Sequence, residues 1–136
     1  MSRKVLIIDD DADFRRAVGV FLETRGFAVV EAKNGREGLR SAIAQRPDLI
    51  LMDVMMEERT EGFFTLQQLR RTAGLEHTPV FVVSSIYSNV PGFGIDPAHS
   101  WLRHDDFIAK PVDMSALLER IEGRLGAATS GTGAGT

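Results

Sequence analysis

The chain has 136 residues, 43% of them hydrophobic and 26% charged, which suits one globular domain with its own core. A net charge of −3 gives no basic field, so direct contact with nucleic acid is not expected. The absence of cysteine excludes disulfides and thiolate metal sites, and no apolar run approaches the ~20 residues of a membrane helix, so a cytoplasmic, non-membrane setting is expected.

Two basic residues precede the first apolar run, Val5 to Ile8. That run leads into acid, not into a small-residue cleavage site, so it reads as a strand instead of a signal peptide. Being apolar on both faces, it suits the middle of a parallel sheet. Asp9, Asp10, Asp11 and Asp13 follow at once. Two carboxylates about 4 Å apart repel by roughly 4 kcal/mol at an effective dielectric near 20. The cluster therefore either points into water or surrounds a cation.

Phe14, Ala17, Val18, Phe21 and Leu22 then mark one face of a helix, with Asp11 as its N-cap and Gly26 behind its last turn. Phe27 to Val30 makes a short second strand. Asn34 and Glu37 have capping-box spacing, and Leu39, Ala42 and Ile43 form the expected buried stripe of a second helix that ends at Pro47. Leu49 to Met52 is a third strand and delivers Asp53. A helix bearing Phe63, Leu66 and Leu69 runs towards Gly74. Val80 to Val83 makes a fourth strand ending in Ser84, and Phe107 to Ala109 a fifth, followed by Lys110 and Pro111. Asp113 caps a last helix with Met114, Leu117, Leu118, Ile121 and Leu125 at helical spacing. Residues 127–136 are small and polar and read as a flexible tail after a domain spanning 1–126.

Five alternations of strand and helix predict a parallel α/β sheet with helices on both faces. Right-handed crossovers bring all the strands' carboxyl ends to one edge, where such sheets bind ligands. Asp9, Asp10, Asp53, Ser84 and Lys110 should meet there.

IIDDD after the first strand, LILMDVMM at the third, PVFVVSS at the fourth and FIAKPV at the fifth together resemble a response-regulator receiver domain of two-component signalling. With the helices between them, these pieces cover residues 3 to about 126. The resemblance implies a flavodoxin-like, doubly wound five-stranded sheet of order 2-1-3-4-5. It implies Asp53 as phosphoacceptor, and Asp9 and Asp10 as the pair that holds Mg²⁺ together with Asp53 and the backbone carbonyl of Met55. Lys110 would face the incoming phosphoryl group. Ser84 would hydrogen-bond it, and Phe107 would be the aromatic that switches with Ser84. The implied phosphodonor is a sensor histidine kinase or a histidine phosphotransfer protein. The implied output is contact with a downstream protein target, with phosphorylation-dependent dimerisation compatible. The expected form is a receiver alone, self-phosphorylating and self-dephosphorylating, with no effector domain.

Taken singly, each residue has an ordinary reading: a solvated acidic strand end, a turn serine, a surface lysine, a core phenylalanine. Their joint placement gives them weight. A receiver that has become a phosphorylation-independent binding module is the main alternative, against which Asp53, Lys110 and the acidic pair all stand. Asp9-x-Asp11 also resembles a haloacid-dehalogenase phosphatase motif, but Ala12 and Asp13 do not continue it well and the chain is short for that fold. A calcium loop lacks its glycine and its bidentate glutamate, and His77, His99 and His104 have no ligand spacing.

The chain departs from the family pattern in two places. Glu57 stands where a proline is usual, adding with Glu58 negative charge near the site. Residues 86–106 carry Pro91, Gly92, Gly94 and Pro97 where the family has a short helix, and a continuous helix is not expected there. Met55 and Ile86 lie two residues beyond Asp53 and Ser84, positions that in the family flank the path of hydrolytic water, and both are apolar. Slow self-dephosphorylation is therefore expected. A Met55→Asn variant should lose its acyl phosphate faster than the parent, measured by decay of the phosphorylated species; equal rates would remove this expectation.

Overall fold

Strands that are apolar on both faces need a layer of helices on each side. The structure, a computed structural model, describes residues 3–53, 61–84 and 106–125, with only the backbone described at 61–64, 84 and 106–107. In chain order these form β1 (Lys4–Ile8), α1 (Ala12–Thr24), β2 (Ala28–Ala32), α2 (Gly35–Gln45), β3 (Leu49–Met52), α3 (Glu61–Arg71), β4 (Val80–Ser84), β5 (Asp106–Ala109) and α4 (Met114–Leu125). The five strands pair in parallel in the order β2-β1-β3-β4-β5, the flavodoxin-like arrangement. The irregular segment expected between Ser84 and β5, and the tail after α4, lie outside the described residues.

Alternation along the central strands divides the core in two. Leu6 and Ile8 of β1, Ile50 and Met52 of β3, and Val80 and Val82 of β4 pack with Ala42, Leu66 and Leu69 beneath α2 and α3. Val5, Ile7, Leu49, Leu51, Phe81 and Val83 pack with Val18, Leu22, Leu117 and Ile121 beneath α1 and α4. Each central strand thus contributes alternate residues to opposite layers, and a one-residue slip would exchange the layers and move every strand end.

The helix starts follow from their caps. Asp11 accepts from the Asp13 and Phe14 amides, Asn34 from the Glu37 amide, and Asp113 from the Ser115 and Ala116 amides. Glu37 accepts from the Lys33 amide, closing the expected box one residue early. Gly26, at φ 96°, takes the left-handed conformation expected behind α1.

Two helix faces differ from the expectation. Ala17 is exposed, and α1 turns Val18, Gly19 and Leu22 inward. Ile43 is 45% exposed, and α2 buries Gly35, Gly38 and Ala42, with Leu39 half-buried. The cause is close approach: with no side chain at Gly38, α2 settles directly on Ile8, so the contact centres on glycine and Ile43 turns away.

A Cβ at Gly38 would overlap three side-chain carbons of Ile8, which is fully buried and precedes Asp9. Overpacking of this kind costs about 1–3 kcal/mol, against a helix-propensity gain of about 1 kcal/mol for replacing glycine. Gly38→Ala should therefore lower the thermal midpoint, read by circular dichroism; a midpoint at or above the parent's would mean that Ile8 moves aside freely.

Candidate functional site: an acidic pocket at the strand ends

The carboxyl ends of β1 and β3 are in register, with Ile8 opposite Met52. Asp9 and Asp53 are the next residues on neighbouring strands. Backbone bonds fix both: the Asp53 amide donates to the Ile8 carbonyl at 3.0 Å, and the Asp9 amide donates to the Ala32 carbonyl at 3.1 Å. On the other side, Ser84 of β4 pairs with Ala109 of β5, so Lys110 leaves β5 at the same edge. The Lys110–Pro111 peptide is cis.

Lys110 Nζ lies 2.9 Å from Asp9 Oδ2 and 3.1 Å from Asp53 Oδ2. Each carboxylate it bridges lies more than fifty positions from it in the chain. Asp9 and Asp53 are buried, at 1% and 6% exposure, whereas Asp10 is exposed. Each of the three offers a carboxylate oxygen, and these oxygens all lie within 4.8 Å of one another. Asp9 Oδ1 also accepts from the Asp11 amide at 2.9 Å.

Burial pushes the Asp9 carboxyl above its usual range; the Lys110 and Asp11 hydrogen bonds pull the other way without cancelling it, and the Asp53 charge adds to the rise. For Lys110, burial acts to lower the pKa, but its bonds to the two carboxylates and their charges outweigh burial and raise it. The lysine is firmly charged, and the pocket still carries uncompensated negative charge. Three carboxylates against one ammonium leave a formal excess of two negative charges. Close-set oxygen donors with that excess fit a small hard dication such as Mg²⁺.

Of the residues singled out from the sequence, Asp9, Asp10, Asp53 and Lys110 come together. Ser84 closes β4 at the same edge, and Phe107 lies on β5 opposite Val82; neither side chain is among those described. Met55, Glu57, Glu58 and Ile86 lie outside the described residues. Three further residues belong to the surroundings. The centroid of the Phe14 ring lies 4.3 Å from Lys110 Nζ, a cation–π contact. Arg15 Nη1 donates to the Asp9 carbonyl at 2.7 Å, and Arg15 Nε pairs with Glu31 at 3.0 Å. In the sequence Phe14 registered only as an apolar helix position. Arg15 and Glu31 carried no signal beyond their charge.

The family model for the response regulator receiver domain matches residues 5–122. The chain belongs to the response-regulator receiver family. It is 32% identical over 125 residues to the DNA-binding dual master transcriptional regulator RpaA of Synechocystis, covering 90% of this chain and 48% of that protein. It is also 32% identical over 138 residues to the response regulator MprA of Mycolicibacterium vanbaalenii, covering 99% of this chain and 55% of that one. The receiver chain thus spans about half the length of these curated relatives. Among solved structures it resembles the chemotaxis response regulator CheY4 of Vibrio cholerae, with a TM-score of 0.78, 27% identity, and coverage of 90% of this chain and 98% of that one. It likewise resembles the signal receiver domain of a histidine kinase from Syntrophus aciditrophicus, with a TM-score of 0.79, 27% identity, and coverage of 99% and 96%. Among the described residues, no helix is long and apolar enough to cross a membrane.

The raised Asp9 pKa has a consequence for stability. The folded state holds this proton more tightly than the unfolded chain, so the contribution is fully present below the ordinary carboxylate value of 3.8 and is lost as pH rises through the elevated folded value. Above that folded value, and without divalent cations, ionised Asp9 is a net cost with its Lys110 bond already counted. Asp9→Asn should therefore melt higher than the parent in chelator, by about 4 °C for each kcal/mol relieved. The gap should close as pH falls towards 3.8. Paired thermal melts across pH check both parts.

Proposed function

We propose that this receiver accepts a phosphoryl group on Asp53 with Mg²⁺ and signals by altered protein contacts. The observation that carries the reading is the Lys110 bridge, which sets one ammonium against a buried carboxylate from β1 and another from β3. An Asp53 oxygen would attack the phosphorus of a phosphohistidine in line. The new P–O bond gives an acyl phosphate, and the P–N bond breaks with its electron pair going to the imidazole, which takes up a proton.

Phosphoryl transfer needs mainly alignment and neutralisation of spread charge. Lys110 Nζ lies 3.1 Å from the reacting carboxylate, within reach of phosphoryl oxygens built on it. Asp9, Asp10, Asp53 and the Met55 carbonyl would hold Mg²⁺, which when bound supplies the remaining positive charge. Burial of Asp53 keeps water from competing as hydrogen-bond donor, and the Phe14 ring limits the directions in which Lys110 can swing. Ser84 would turn towards the acyl phosphate, with Phe107 responding on the next strand.

A sensor histidine kinase or a histidine phosphotransfer protein is the proposed donor, and a downstream protein the proposed target. The switch requires only that the phosphorylated state prefer one surface conformation by a few kcal/mol.

Incubation with acetyl phosphate and Mg²⁺ should label the parent chain and leave Asp53→Asn unlabelled, read by intact mass. Chelator should abolish labelling. An unmodified parent would favour the phosphorylation-independent binding module, and label on Asp9 the phosphatase reading.

A further inference from the structure

Three bonds hold Asp9, two through its backbone and one through its carboxylate. Its amide donates to the Ala32 carbonyl of β2, its Oδ1 accepts from the Asp11 amide, and its carbonyl accepts from Arg15 Nη1 at 2.7 Å. The partners in the first two are main-chain groups of Ala32 and Asp11, so their own side chains play no part. The third is made by a side chain that is neither a carboxylate of the pocket nor part of the sheet. The Asp9 carbonyl belongs to the Asp9–Asp10 peptide, so whatever holds this oxygen also sets where the next Cα and the Asp10 carboxylate lie. Asp10 is the exposed member of the three, and its position depends most on the backbone leading to it.

We propose that Arg15 is a positioning residue for the acidic pair, locking the Asp9–Asp10 peptide from α1 while Glu31 on β2 holds the other edge of its guanidinium. The inference rests on the Mg²⁺ reading above. The geometry needs arginine. One planar fork reaches the Asp9 carbonyl through Nη1 and Glu31 through Nε, and a lysine ammonium has no second donor group set at that angle. The Arg15 side chain is only 16% exposed, so its orientation is constrained, whereas Glu31 at 44% leaves the pair too wet to contribute much stability by itself. Its role is directional. Register supports this: Glu31 lies opposite Ile7, two residues before Asp9, and the inward turn of α1 at Val18 and Gly19 brings Arg15 against the same strand edge.

Position and charge predict opposite signs, which makes the inference decidable. As a bare cation near the pocket, Arg15 would oppose a dication, and its loss would tighten binding. As a positioning group, its loss would loosen binding. Mg²⁺ titration by calorimetry on the full chain should compare the parent with Arg15→Lys, Arg15→Met and Glu31→Ala, alongside thermal midpoints. The expected result is weaker Mg²⁺ binding in both Arg15 variants, by about tenfold as for other groups that orient metal ligands. A smaller loss is expected in Glu31→Ala, with midpoints near the parent's. Tighter binding in Arg15→Met with Arg15→Lys unchanged would overturn it in favour of charge alone. Unchanged affinities throughout, or losses that track the midpoints, would also overturn it. Should Arg15→Met fail to fold, Arg15→Lys and Glu31→Ala carry the same test. A parent chain that binds no Mg²⁺ would instead overturn the metal reading on which the inference stands.

Discussion

Two buried carboxylates, Asp9 and Asp53, stand side by side with a single ammonium against both, and most of the molecule's design can be traced to keeping them there. Side-by-side placement follows from the parallel pairing of β1 with β3, in which Ile8 faces Met52 and the chain turns acidic one residue later on each strand. Like charges so placed repel strongly at low dielectric. Lys110 offsets part of that repulsion, but burial first, and the Asp53 charge behind it, still hold the Asp9 carboxyl above its usual range. The pocket is therefore held under electrostatic load by a scaffold stable enough to carry it.

That scaffold is the double core. Alternate residues of β1, β3 and β4 are committed to opposite helical layers, so the register that aligns Asp9 with Asp53 also decides which side chains meet α1 and α4 and which meet α2 and α3. Sliding a strand to relax the carboxylates would expose apolar residues that are now fully buried, each worth about 1.5–3 kcal/mol. The local repulsion is small beside that sum. Geometry at the strand ends is thus fixed by packing below them, and chemistry at the edge inherits the precision of the core.

The elements legible in the sequence were those written in side-chain polarity. Apolar strands ending in Asp53 or Lys110, and helices opened by Asp11, Asn34 and Asp113, appear where pattern and capping chemistry place them. What escaped was written in the absence of side chains or in contacts between distant ones. Gly38 gives no apolar signal, yet it decides which face of α2 meets Ile8, and apolar spacing alone therefore turns Ile43 inward where the structure exposes it. Phe14 had the periodicity of a core residue; only the return of the chain at Lys110 shows its ring against the ammonium. Arg15 and Glu31 are sixteen residues apart on different elements, and no local pattern links them.

The uneven burial of the three carboxylates bears on how such a pocket can work. Were all three as buried as Asp9, the cost of ionising them together would favour protonation, and a protonated carboxyl is a poor nucleophile and a poor ligand. Were all three exposed, water would screen them and Lys110 would have little reason to stay. The observed division keeps Asp9 and Asp53 dry enough to hold the lysine and leaves Asp10 open to solvent. The strands supply the first two and the loop into α1 supplies the third. The boundary between sheet and solvent, falling between Asp9 and Asp10, is thus what lets one short acidic stretch both hold the lysine and face a cation.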